Sequence, residues 1–247
     1  MIGRPNVSAE EIGALIEKDQ VLSAKVLRLA NSPFYGFPSR IASVAHAVVV
    51  LGLNVVKGLT LCATAFDMMR NAGMNELWRH SLGVAMTAHI LGTKAAMKNP
   101  EEVFVAGLLH DIGKVVLYVK WPDVGQQITA VTRNTSQPLM NVEQELFEVT
   151  HADVGGWLAS AWHLPTSLRE PILHHHTPAA AQDAKLQTAI VHVADVLVKG
   201  LACGNPGDNL VPPLSRQAWD LVGLDAQSLA HCLAQASEEF QTIDDYL

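Results

Sequence analysis

The chain has 247 residues, enough to bury one large hydrophobic core or two smaller ones. A composition of 49% hydrophobic and 17% charged residues excludes an extended disordered polymer. A net charge of −7 with no Lys/Arg-rich run excludes a surface built for a nucleic-acid backbone. Cys62, Cys203 and Cys232 are far apart and form no CxxC pair. A disulfide framework and a thiolate zinc site are therefore not expected, and a reducing cytoplasm is the natural home. The opening "MIGRPNVSAEE" lacks the apolar stretch of a secretory signal.

Helical periodicity recurs along the chain, with no sustained alternation of a strand. "SAEEIGALIEKD" begins with Ser8 and Glu11 as a capping box, and Ile12, Leu15 and Ile16 make one apolar stripe. "VLSAKVLRLAN" follows, then a Pro/Gly loop, "SPFYGFPSR". "IASVAHAVVVLGLNVVKGLTLCATAF" is greasy, yet His46, Gly52, Asn54 and Lys57 interrupt it. It reads as two buried helices, 43–51 and 54–71, separated at "LGLN", rather than a membrane span. The chain changes module around "NAGMNE", giving an expected division into 1–70 and 71–247 within one compact unit. Next come "NELWRHSLGVAMTAHILGTKAAM" and, after Pro100, a helix holding "VFVAGLLHDIGKVVLYV". Further helices are expected in "WPDVGQQITAVTRN", "LMNVEQELFEV", "HADVGGWLASAWHL", "PTSLREPILHHH" and 185–201, with two short ones near Ser215 and after Ala226. The fold class is all-α. Trp78, Trp121, Trp157, Trp162 and Trp219 read as anchors of helix contacts.

Several polar residues sit where an apolar core would not want them, because a buried charge is costly unless paired. Glu76 and His80 are one helical turn apart. His110 and Asp111 are adjacent in an apolar run, an arrangement workable at a helix end or kink, with Gly113 lending local freedom. His151 begins one helix, His174 to His176 end another, and Asp195 lies in "AIVHVADVLV". Each alone has a bland reading: Asp195 pairs with Lys199, and His151 with Asp153 marks a helix start. His46, His89, His163 and His231 keep that reading. Together, eight imidazoles and carboxylates suit zinc, iron, manganese or nickel, and their number suits two ions better than one. With no ion between them, Asp111 and Asp195 would crowd each other, and one would hold its proton.

His80, "HDIGK" at 110–114 and Asp195 resemble the H…HD…D signature of the HD superfamily of metal-dependent phosphohydrolases. "IEKDQVLSAKVLRLANSPFYGFPSRIASVAHAVVVLGLNVVKGLTL" is similar to the opening of HDOD domains, HD-related output modules of bacterial signalling proteins, and "HADVGGWLASAWHLP" and "ILHHHTP" extend the likeness to about residue 200. The resemblance implies an HD-like helical bundle with an N-terminal HDOD lobe, and a family that usually carries one more helix ahead of "AEEIGALIEKD". The HD-GYP branch, which cleaves cyclic di-GMP, has a Gly-Tyr-Pro element where this chain reads "HHHTPAAAQDAKLQT", so that substrate is not expected.

Set against the two-metal arrangement of that branch, Glu76, His80, His110, Asp111, His151, His175, His176 and Asp195 fall on ligand positions, with 174 and 175 as an alternative placement of the histidine pair. The likeness implies that Asp111 bridges two divalent transition-metal ions. His80, His110 and Asp195 would hold one, and Glu76, His151, His175 and His176 the other. In an active enzyme Asp111 and Lys114 would serve catalysis, with Lys114 steadying a phosphate oxygen; Arg79 is a weaker candidate. The function implied first is a cytoplasmic signalling output module with a protein partner, without nucleic acid or membrane. The second is a phosphohydrolase acting on a phosphoester or nucleotide.

Overall fold

A computed structural model describes residues 9–32, 35, 37, 39–135, 137–208 and 210–241, and the expected cap at Ser8 lies outside them. The described residues are helical, with no strand among them. No helix among them is long and apolar enough to cross a membrane. The chain divides into two compact units, 1–67 and 68–247.

The first unit contains α1 (Ala9–Ile16), α2 (Gln20–Ala30), α3 (Val44–Leu51) and most of α4 (Leu53–Asn71). The Asp19 side chain caps α2 by accepting from the amides of Val21 and Leu22. Asn31 closes the following loop, accepting from Ile41 N at 2.7 Å and donating to Ile41 O at 2.8 Å. Lys25 pairs with Asp67. Gly52, at φ +86°, supplies the left-handed residue that ends α3, so "LGLN" does separate one helix from the next. The core is Val26, Leu29, Ile41, Val44, Ala47, Val56 and Leu59. The division falls inside α4, at Asp67/Met68 rather than at residues 70/71, and a continuous helix offers no break in composition there.

The second unit is built around α5 (Asn75–Lys94), which packs against α6 (Pro100–Leu109) and α12 (Lys185–Gly200). From Leu77 to Gly92 nearly every α5 residue is buried, so this helix is enclosed on all sides and carries His80, Ser81 and Thr87 into the interior. A second layer comprises α7 (Ile112–Lys120), α8 (Pro122–Asn134), α9 (Leu139–Phe147), α10 (His151–Ala161) and α11 (Thr166–His174). Leu117, Ile128, Leu139, Val142 and Val154 form a core cluster within it. A 3-10 turn at Pro178–Ala180 leads into α12, and α13 (Arg216–Val222) and α14 (Ala226–Phe240) follow. The tryptophans divide: Trp78 is buried, whereas Trp121 and Trp157 are 54% and 60% exposed. Trp121 stands at the break between α7 and α8, where neither helix covers it.

Candidate metal centre

The "HDIGK" run is not one continuous helix. α6 stops at Leu109, His110 keeps helical angles, and Asp111 moves to φ −98°, ψ 13° before α7 starts at Ile112. That break lets two adjacent side chains serve one site. Gly113 contributes in a different way from the freedom expected of it, for its φ is not positive. Its missing Cβ matters instead: a Cβ there would stand 1.9 Å from the carbonyl oxygen of His151. The start of α10 presses directly onto α7 at this point.

α10 begins with a full capping box. Thr150 Oγ1 accepts from Asp153 N, and Asp153 Oδ2 accepts from Thr150 N at 2.9 Å. His151 thus occupies a fixed first helical position, and its ring is fixed as well. Glu143 on α9, fully buried, accepts from His151 N at 2.9 Å and lies 2.6 Å from Nδ1 through the same oxygen. Two other rings are oriented by backbone carbonyls, which can only accept. His110 Nδ1 donates to Gly107 O at 2.7 Å, and His175 Nδ1 to Ile172 O at 2.9 Å. In each ring the proton is therefore on Nδ1, and the lone pair is on Nε2, facing inward.

These Nε2 atoms meet two carboxylates. Asp195 Oδ1 lies 3.0 Å from His80 Nε2 and 3.9 Å from His110 Nε2. Asp111 stands between two sets of rings. Its Oδ2 is 3.3 Å from His110 Nε2 and 3.8 Å from His80 Nε2, while its Oδ1 is 3.2 Å from His151 Nε2 and 3.8 Å from His175 Nε2. His176 Nε2 is 3.0 Å from His151 Nε2. Lys114, one turn along α7, donates to Asp111 Oδ2 at 2.7 Å. Three groups have ligand atoms all within 4.8 Å of one another: His80, His110 and Asp195; His110, Asp111 and His175; and His151, His175 and His176.

Apart from the Lys114–Asp111 and His151–His176 contacts, this proximity leaves ligand atoms without hydrogen bonds. Nε2 of His80, His110 and His175, and Oδ1 of Asp111 and Asp195, are buried without a hydrogen-bond partner. Each such atom costs about 1–3 kcal/mol when left unsatisfied. Five of them converging, all of ligand type, is the arrangement a divalent cation satisfies. The all-nitrogen-and-oxygen donor set fits zinc, manganese, iron or nickel.

Protonation agrees with that fit. Burial, reinforced by neighbouring imidazoles, holds His175 and His176 well below the usual histidine range, so both are neutral, as ligation requires. Burial would raise Asp111, but His110 and Lys114 outweigh it and keep the carboxyl well below its ordinary value. Asp195 behaves alike, its burial outweighed by His80 and Lys199. Both carboxyls are thus held below the ordinary range, where one of them was expected to keep its proton; Lys114, donating to Asp111 at 2.7 Å, supplies a charge that the expectation left out.

The structure brings together His80, His110, Asp111, Lys114, His151, His175, His176 and Asp195. Glu76 stands apart. It is exposed in the first turn of α5, ahead of Leu77, where the helix enters the core. Sequence spacing gave Glu76 and His80 a common face but says nothing of depth. Lys199 does not pair with Asp195 as a bland reading would have it; its Nζ lies 3.4 Å from Asp208. Two residues were missed. Glu143 occupies an apolar-stripe position of α9 beside Leu139 and Val142, a charge out of place that could have been noticed. His192 on α12 donates from Nδ1 to His175 O at 2.7 Å and accepts at Nε2 from Ser215 N at 3.0 Å, with no motif to reveal it.

Comparison with known proteins agrees with this architecture. The sequence matches the HDOD domain over residues 1–178. It is 26% identical over 215 residues to an uncharacterized protein of Treponema pallidum (strain Nichols), covering 85% of this chain but only 42% of that relative. An HDOD domain protein of unknown function from Geobacter sulfurreducens superposes with a TM-score of 0.76 at 28% identity, over 100% of this chain and 89% of that one. A candidate signal transduction protein from Marinobacter aquaeolei VT8 shares the fold, with a TM-score of 0.71 at 20% identity, covering 99% of this chain and 55% of that one. With 178 residues matched and a helical frame that superposes end to end, the chain belongs to the HDOD family.

Proposed function

We propose that this chain is a regulatory output module of bacterial signalling, organised around a divalent metal centre and acting in the cytoplasm through a protein partner. The convergence of five buried, unpartnered ligand atoms on α5, the α6–α7 break, α11 and α12 carries the metal reading. His80, His110 and Asp195 would hold one ion, and His151, His175 and His176 a second, with Asp111 between the two groups. Glu143, Gly107 O and Ile172 O orient the rings, so the chain spends its own hydrogen bonds on aiming ligands. The module reading draws on membership of the HDOD family. All three cysteines are free and buried, in keeping with a reducing compartment.

One observation favours a second reading, a phosphohydrolase acting on a phosphoester other than cyclic di-GMP. A cavity of about 250 Å³ borders Lys114, His151 and His176, so a small molecule can approach the centre. Bound metal would supply Lewis acidity toward a phosphoryl oxygen and a low pKa for bound water. Elemental analysis of protein purified without chelators tests the centre itself: wild type is expected to carry metal and Asp111→Ala to lose it. Metal-free wild-type protein refutes the centre. Metal-loaded protein that turns over no phosphoester or nucleotide supports the module, and turnover lost in Asp111→Ala supports the hydrolase.

A further inference from the structure

The cavity beside the centre is more than an approach route. Three charged side chains on its wall are almost wholly buried: Lys114 is 3% exposed, Lys199 8% and Asp208 5%. Lys114 is satisfied by Asp111 at 2.7 Å, but Lys199 is not well served. Its Nζ contacts Asp208 Oδ1 at 3.4 Å, a long contact for an ammonium with three donors. The same Asp208 carboxylate is already engaged elsewhere, accepting from Leu139 N at 2.8 Å through Oδ2 and from Leu210 N at 3.2 Å through Oδ1. Burying an ammonium is costly, and beyond this long contact the offset comes from the more distant charge of Asp195. Facing these charges are apolar groups, Leu139, Leu210 and Pro212. A cation in the His/Asp cluster would also draw on Asp111 and loosen its hold on Lys114.

We propose that this cavity binds a small molecule with an oxyanion head and a compact apolar body, the head served by Lys199 and Lys114 and the body by Leu139, Leu210 and Pro212. Such a ligand gives the module a small-molecule input. In its use of Lys114 this rests on the metal-centre reading; in its use of Lys199 it does not. Asp208 then has two opposed effects. It tethers the outer wall to α9, and its charge repels the ligand.

The test is calorimetric titration of the full-length protein, with and without added manganese, using phenylphosphonate, inorganic phosphate and phenol. Phenylphosphonate is expected to bind about tenfold more tightly than inorganic phosphate because its ring is buried, and phenol not to bind. Lys199→Met should weaken phenylphosphonate about tenfold or more, the loss of one charge-assisted contact. Asp208→Asn, which keeps an acceptor for Leu139 N, should tighten it. A structural lesion would not give opposite signs. Manganese-loaded protein that ignores phenylphosphonate, or binding that is indifferent to both variants, overturns the proposal and leaves the metal centre standing. Binding with the expected variant signs in protein that takes up no manganese supports the pocket and overturns manganese as the ion of the centre.

Discussion

Replacing Gly113 with Ala perturbs the contact between α7 and α10 at its tightest point. The new Cβ would stand 1.9 Å from His151 O, 2.8 Å from His151 C and 2.9 Å from Gly155 N. Carbon atoms in ordinary contact are separated by about 3.5 Å, so α7 and the start of α10 must move apart by more than an ångström. The obstacle is backbone held by the Thr150–Asp153 capping box, and it cannot rotate aside. Overpacking of this kind costs about 1–3 kcal/mol or more, and Ala recovers up to about 1 kcal/mol of helix propensity. A net loss of about 2 kcal/mol lowers the melting temperature by roughly 4–8 °C for a unit of this size. The same movement draws Asp111 away from His151, now 3.2 Å apart, and should weaken metal binding about tenfold or more. Circular-dichroism melting and chelator competition measure the two effects. Gly200→Ala, at the end of α12, is the control, since its Cβ would meet nothing within 4 Å. If Gly113→Ala melts and binds metal like wild type, the reasoning about this contact is wrong.

Glu143→Gln keeps the shape of the side chain that holds His151 but removes its charge; metal affinity should fall about 10–100-fold, and an unchanged chelator-competition curve would refute the positioning role. Glu76→Ala should leave metal stoichiometry at the wild-type value, and lost metal would return Glu76 to the ligand set. In chelator-treated protein, His80, His175 and His176 are all held below the ordinary 6.5, chiefly by burial. As pH falls below 6.5 the unfolded chain takes up protons that the folded chain refuses, so stability is lost with acid at about 1.4 kcal/mol per pH unit for each such ring. His151 is buried too, but Glu143 outweighs that and raises it, so it opposes the trend without cancelling three rings. A melting temperature that stays level from pH 7.5 to 5.5 would contradict this.

Periodicity carried the helices because burial imposes it: Val26 and Leu29 of α2 and Leu139 and Val142 of α9 are buried at helical spacing, although Leu15 of the α1 stripe is exposed, and Gly52 and Pro100 mark boundaries by their backbone preferences. Seven metal-ligand candidates and Lys114 stood out because charge or imidazole in an apolar run has few bland explanations. Depth was not legible, which is why Glu76 was grouped with His80. Nor was close approach: the contact of Gly113 with His151 joins residues far apart in the chain and leaves only an unremarkable glycine in the sequence. Glu143 and His192 act through other residues, Glu143 on the ring of His151 and His192 on the carbonyl of His175. Hydrogen bonds of that kind have no spacing rule.

His80 and Asp195 touch although more than a hundred residues separate them, and the intervening helices supply every other member of the cluster. No fragment that lacks either α5 or α12 can reproduce the arrangement. During folding, the cluster can assemble only after the second unit has closed its longest loop, an entropic barrier that local helix formation does not lower. Cation capture at this cluster would therefore report completed tertiary structure, and a chain interrupted anywhere between α5 and α12 should be blind to it.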